Sequence, residues 1–255
     1  EGDLKEGFYV GVEAAKNSEL ALQFPLFGPN IWPRESRGVL PGFKRDIQEY
    51  FAAMSDLGLS LSDILAESLG LPGDYFREFL TQPLAILRLL RYLPVASDVD
   101  KGKIGAGAHS DYGLITILAT DEVGGLQVEL KEGVWANVDP IPGTFVVNLG
   151  DMLARWSNDV YRSTRHRVVI KRAVTRYSMP FFYEPNHDTV VSCIPTICGE
   201  SGSPSSGDSS SPPETPRDSG IAPPGIGIFG PPQKPRYAPI LSGEYLLSKY
   251  HDTHA

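Results

Sequence analysis

From Leu84 onward the apolar residues recur at every second position, in short runs. The runs span 85–93, 104–109, 113–119, 125–130, 134–138, 144–149, 165–170, 174–183 and 188–193. Asp100-Lys101-Gly102, Gly124-Gly125, Glu132-Gly133 and Pro142-Gly143 punctuate them as turns. Residues two apart on a strand share a face, so many short, regularly interrupted strands predict a β-sandwich or barrel. The period is different upstream. Phe43, Ile47, Tyr50, Phe51, Met54, Leu61, Ile64, Leu65 and Leu69 fall at helical spacing. Gly58 is expected to break or bend this run into two helices, Leu71-Pro72-Gly73-Asp74 to end it, and a short helix to follow over 75–80. The aromatic and Met54 stripe reads as a helix packed on the sheet rather than a cofactor box. EGFYVGVE near the start is strand-like, and the Pro- and Gly-rich 23–42 reads as loop.

Within the β region, GAGAHSDYGLITIL places His109 and Asp111 two apart at a strand or strand end. Both can reach one metal, with Ser110 pointing away. His166 would complete a set of two histidines and one carboxylate, which binds iron on one face and leaves other positions open. Zinc accepts these ligand types too, but structural zinc normally takes four protein ligands, often cysteines. A turn near Lys171 in HRVVIKRAVTRYS would pair Val168 with Val174 and His166 with Arg176. Paired residues of antiparallel strands share a face, so this register sets a guanidinium beside a metal ligand, with Ser178 on the same face. A buried arginine there calls for an anion, best a carboxylate. A one-residue slip would turn Arg176 away.

HSD, a distal His166, and Arg176-Tyr177-Ser178 ten residues after that histidine together resemble the 2-oxoglutarate/Fe(II)-dependent dioxygenases, in their isopenicillin N synthase-like branch. HxD alone is a weak signal in a chain with five histidines. LRLLRYLP, GGLQV, VVNLGDMLARWSNDVYRSTRHRVV, SMPFFYEPN and PILSGEYLLSKYHDTHA extend the likeness from about Glu6 to Ala255, apart from one insert. The resemblance implies a mainly β protein with α elements: a double-stranded β-helix (jelly roll, cupin-like) backed by N-terminal helices. It implies Fe(II) on His109, Asp111 and His166, with 2-oxoglutarate as co-substrate on Arg176 and Ser178. Tyr92 is at a position where the family often touches co-substrate or substrate; a core tyrosine is the equal alternative. Alternation puts Arg88, Leu90 and Tyr92 on one face. Dioxygen would be the oxidant, and a small molecule would be hydroxylated, desaturated or cyclised with release of succinate and carbon dioxide, as in secondary metabolism. An oxidase without 2-oxoglutarate and a non-catalytic ligand-binding relative remain the alternatives. Asn148, in VVNLGD, either orients groups near the site or makes a turn hydrogen bond, and is not taken as a site residue. Phe181 and Phe182 are expected in core or pocket wall, and His187 in a loop.

The organisation follows from the same likeness. Residues 1–82 are read as an N-terminal helical region shortened relative to the family, and 83–198 plus 236–255 as the jelly roll with a C-terminal helix. The Ser-, Pro- and Gly-rich 199–235 is an insert expected to be disordered, since it has little apolar surface to offset chain entropy. Thr215-Pro216 invites phosphorylation, but an inert loop is the preferred reading. Ser242 is expected to cap the last helix, with Glu244 in its first turn and His251 and His254 in a solvated tail.

A length of 255 residues suits one large domain or two small ones. The net charge of −8 and the lack of a basic run argue against nucleic acid and anionic membrane surfaces. No apolar stretch reaches the roughly 20 residues of a membrane span, and EGDLKEGF is not a signal peptide. Cys193 and Cys198 are too few for a disulfide framework and fit no common zinc spacing. They are expected as free thiols in a cytoplasmic monomer acting on a small molecule.

Overall fold

The alternation beyond Leu84 becomes two antiparallel sheets. The structure, a computed structural model, describes residues 3–35, 39–199 and 233–254. In chain order the strands are β1 (Lys5–Gly11), β2 (Pro83–Tyr92), β3 (Ala106–His109), β4 (Ile115–Thr120), β5 (Leu126–Lys131) and β6 (Val134–Val138). They continue with β7 (Val146–Leu149), β8 (His166–Val168), β9 (Arg176–Asn186), β10 (Val190–Val191) and β11 (Ile240–Leu241). The helices are α1 (Glu19–Gln23), α2 (Phe43–Ser68), α3 (Asp151–Trp156), α4 (Pro195–Cys198) and α5 (Ser242–His254). The larger sheet runs β1-β2-β9-β4-β7 and the smaller β3-β8-β5-β6, with β10 and β11 a separate ribbon. This is the expected jelly roll. Most of the segment expected to be an insert, residues 200–232 with Thr215, lies outside the described residues, as do the side chains of residues 252–255, His254 included.

The main core lies between the larger sheet and α2, where Phe51 meets Phe181 edge-on with ring centroids 5.1 Å apart. The helix turns Met54, Gly58, Ser62 and Ala66 inward, a four-residue repeat of mostly small side chains that lets its backbone approach the sheet. Gly58 does not break α2. A Cβ there would come within 2.9 Å of the Tyr183 ring, so glycine is present for close packing, and the surrounding helix formers carry the helix through it.

The short helix expected over 75–80 is a 3-10 helix over Arg77–Leu80. Local expectations differ from the structure in three further places. Ser242 opens α5, but its hydroxyl is buried with no hydrogen-bond partner among the described residues, so it does not cap the helix. Cys193 and Cys198 are joined in a disulfide, with Cα atoms 6.3 Å apart; α4 folds one sulfur back on the other, and neither is a free thiol. The hairpin expected at Lys171 does not form. His166 pairs with His109 and Val128, while Arg176 pairs with Tyr92. After Val168 the chain crosses from the smaller sheet, where β8 lies between β3 and β5, to the larger, where β9 lies between β2 and β4.

Candidate active site

The two sheets enclose a narrow cavity of about 60 Å³. On the smaller sheet, His109 at the end of β3 and His166 at the start of β8 are cross-strand partners, and their ring centroids are 4.3 Å apart. Asp111 follows β3 and is buried. Its Oδ1 lies 4.0 Å from His109 Nε2 and 3.6 Å from His166 Nε2, and the three residues offer ligand atoms all within 4.8 Å of one another. They form the one metal-capable cluster of histidine, cysteine and acidic groups found among the described residues.

The backbone sets the protonation of both rings. His109 Nδ1 is 2.7 Å from the Gly107 carbonyl, and His166 Nδ1 is 3.1 Å from that of Thr164. A carbonyl only accepts, so each Nδ1 holds the proton and each Nε2 lone pair faces Asp111. Desolvation, then the neighbouring His166, lowers the His109 pKa and favours the neutral, ligating form. Asp111 is held from the other side. Asn148 Nδ2 donates to Oδ2 at 3.3 Å, which leaves Oδ1 turned toward the imidazoles, and the Asp151 amide and the Ser163 hydroxyl donate to its main-chain oxygen. Ser110 points away, toward Asp151, as alternation expects. Gly113 and Gly150 make this wall possible. Their backbones touch, leaving no room for a side chain on Gly150, and so bring the start of α3 against the loop that carries Asp111.

The larger sheet supplies the opposite wall. Arg176 and Ser178 on β9 are 1% and 3% exposed and face the cavity, joined by Tyr92, Leu90 and Arg88 of β2 and Thr116 of β4. The Arg176 guanidinium lies 4.7 Å from the Tyr92 ring centroid and donates from Nε to the Gly124 carbonyl at 2.8 Å. Its Nη1 is buried without a partner, as is Thr116 Oγ1. Among the described residues no carboxylate forms an ion pair with Arg176, although a buried charge left unpaired is costly. An anion supplied from outside the chain resolves that arrangement, and a carboxylate suits a guanidinium edge. The donor set therefore fits both a divalent iron and a small acid.

All six site residues expected from the sequence line this cavity: His109, Asp111, His166, Arg176, Ser178 and Tyr92. His166 and Arg176 arrive from different sheets rather than from one hairpin. Asn148, set aside on the sequence, orients a carboxylate of the cluster. Glu184 was missed altogether. It is buried, and burial raises its pKa to about 8, with Arg88 pulling it down and Asp111 pushing it up. The signal was available, since Glu184 has the same parity on β9 as Arg176 and Ser178.

A β-sandwich that brings two histidines, a buried carboxylate and a buried arginine without an ion pair around one cavity is of a class suited to holding a metal beside an organic acid. Residues 86–185 match the model of the 2OG-Fe(II) oxygenase superfamily. The crystal structure of a full-length Neurospora crassa protein in complex with alpha-KG and 5-formyluracil superposes with a TM-score of 0.74 at 34% identity, covering 97% of this chain and 68% of that one. A probable iron/ascorbate oxidoreductase of Dictyostelium discoideum is 41% identical over 206 residues, which is 73% of this chain and 56% of the relative. A 2-oxoglutarate-Fe(II) type oxidoreductase of Emericella nidulans is 39% identical over 199 residues, 77% of this chain and 57% of the relative. The chain belongs to the 2OG-Fe(II) oxygenase superfamily, and it spans under three fifths of the length of these two curated relatives.

Proposed function

We propose that this chain carries the active site of a monomeric Fe(II)- and 2-oxoglutarate-dependent oxygenase, which hydroxylates, desaturates or cyclises a small organic molecule and releases succinate and carbon dioxide. The observation that carries the proposal is the buried, unpaired Nη1 of Arg176 in the same cavity as the His109, Asp111 and His166 cluster. His109, Asp111 and His166 would hold Fe(II), which supplies oxygen activation when bound and keeps open positions for reactants. Arg176 and Ser178 would bind the far carboxylate of 2-oxoglutarate, and Tyr92 fixes the plane of the guanidinium from its face. The Gly107 and Thr164 carbonyls hold the imidazoles in the ligating tautomer, and Asn148 keeps one carboxylate oxygen of Asp111 directed at the metal position. The apolar walls, Leu90, Leu118, Leu126 and Val168, exclude water and strengthen the charged contacts. Thymine and 5-formyluracil in the Neurospora structures support a small-molecule substrate. The net charge of −8 favours neither nucleic acid nor membrane as partner, and among the described residues no helix is long and apolar enough to cross a membrane. A cytoplasmic location loses the free thiols that supported it.

The test is anaerobic titration with Fe(II) and then 2-oxoglutarate, followed by succinate analysis in air. A visible charge-transfer band that vanishes in His109→Ala, and in Arg176→Ala at modest co-substrate concentration, is expected. Tight iron binding with no band and no succinate would overturn the 2-oxoglutarate assignment in favour of an oxidase that draws its electrons from the substrate alone.

A further inference from the structure

Arg88 has no role in the site as proposed, yet it stands where a substrate would pass. It lines the metal cavity together with Leu90 and Tyr92, and it also lines a second cavity of about 630 Å³ with Tyr9, Ile86, Leu247, Tyr250 and His251. Among the described residues, no other is common to the two linings. The inner cavity is too small to hold both a co-substrate and a second organic molecule, so the body of a substrate belongs in the outer one.

The guanidinium is held for recognition at its edge. Its carbon lies 5.0 Å from the Tyr9 ring centroid and 4.7 Å from that of Phe182. Stacking of this kind occupies the faces of the group and leaves the in-plane N–H donors for a partner. The Tyr250 hydroxyl, from α5, reaches the guanidinium, but Nε is buried and unpartnered. Among the described residues no carboxylate forms an ion pair with Arg88. Glu184 is an acidic group near enough for the two to feel each other's field, and burial pushes that carboxyl up to about 8, yet the two form no ion pair. Arg176 shows the same three features: aromatic stacking, a buried unpaired nitrogen and no ion pair.

We propose that Arg88 determines substrate specificity by binding a carboxylate on the molecule to be oxidised, whose apolar body fills the cavity between β2 and α5. This rests on the oxygenase reading above, with Arg176 taken by 2-oxoglutarate and Arg88 left for the substrate. A carboxylate is favoured over a neutral carbonyl because it matches both the fork and the charge that forms no ion pair. Ile86, Leu247 and the Tyr250 ring give the outer cavity an apolar side suited to a hydrocarbon or aromatic body.

The test uses the full chain, loaded anaerobically with Fe(II) and saturating 2-oxoglutarate, and calorimetric titration with matched pairs of probes: phenylacetate against phenylacetamide, and hexanoate against hexanamide. At least one carboxylate is expected to bind about 10-fold or more tightly than its amide, the size of one charge-assisted hydrogen bond. Arg88→Leu is expected to bring that pair within about 2-fold. Arg88→Gln keeps a polar donor without the charge, guards against a folding defect in the leucine variant, and must lose the same preference. Equal binding of acid and amide in the unaltered protein, or a preference that survives both substitutions, overturns the proposal. The charge-transfer band is recorded on the same samples before each titration. Its absence counts against the 2-oxoglutarate reading, and a band without acid preference counts against Arg88 alone. The pairs are compared in either case.

Discussion

Strand β9 has two buried faces that do opposite things. Met179, Phe181 and Tyr183 look outward to α2 and join the cluster that holds Phe76, Met152 and Trp156. Arg176, Ser178, Phe182 and Glu184 alternate with them and look inward, where the apolar cluster is the smaller one of Leu90, Tyr92, Ala106, Val168 and Ile170. The outer face is packed by apolar and aromatic side chains, and on that side the Tyr50 hydroxyl of α2 is the polar atom left buried without a partner among the described residues. The inner face retains buried polar atoms that the fold leaves unmet, Arg176 Nη1, Thr116 Oγ1 and Arg88 Nε among them. One strand thus separates stability from chemistry by the parity of its residues, and substitutions one position apart should differ in kind.

The largest difference is expected between Phe181 and Arg176. Phe181 is fully buried against Phe51, and Phe181→Ala should lower unfolding free energy by about 3–5 kcal/mol, read by urea denaturation. Arg176→Met should do the reverse. It removes a buried charge with no ion-pair partner among the described residues, so the metal-free protein should be unchanged or more stable by about 1–4 kcal/mol. Its 2-oxoglutarate affinity should fall by about 2–5 kcal/mol, roughly 30-fold or more. Loss of stability in Arg176→Met would mean that the guanidinium belongs to the core and that the two faces do not differ.

A smaller effect separates ligands from the groups that orient them. Asn148→Ala should weaken Fe(II) binding by roughly 10–100-fold, the usual cost of losing an outer partner of a ligand, while Asp111→Ala should abolish it. Competition with a chelator measures both. If Asn148→Ala bound iron as well as the unaltered protein, its hydrogen bond to Asp111 would be incidental.

Much of this division was legible in the sequence, because period and parity are local properties. The shift from helical spacing to alternation after Leu84 placed the strands, and HxD placed two ligands together, one at the end of β3 and one just beyond it. Parity grouped Arg88 with Tyr92 and Arg176 with Ser178. Strand partners were not legible. Nothing near Lys171 says that the chain crosses between sheets, and a hairpin fits the same residues equally well. Gly58 misled for a related reason, since a glycine needed for the approach of Tyr183 looks the same in sequence as one that ends a helix. The role of Asn148 depends on which distant atoms meet, and that is set by the tertiary fold, whereas the disulfide closes a local loop that shows only once α4 is seen between the two cysteines.

The finest test of the two faces is Glu184, an acid on the inner side of β9 beside outward-facing Tyr183. Burial holds its folded pKa at about 8, against an ordinary value of 4.5. The folded protein therefore keeps a proton that the unfolded chain releases once the pH passes 4.5, so unfolding gains in favour as pH rises from there to about 8 and no further. The contribution to stability is full below 4.5 and declines with a slope of at most about 1.4 kcal/mol per pH unit. Glu184→Gln cannot titrate, so the metal-free variant should lose this slope while resembling the unaltered protein at pH 4.5 and below. Urea denaturation at half-unit steps across this range, on both proteins, isolates the one group from every other that titrates. Parallel curves would show that Glu184 is solvated or ionised in the folded state. A flatter curve for Glu184→Gln would show a carboxyl kept neutral by the inner face, on the side of β9 where Arg176 likewise forms no ion pair among the described residues.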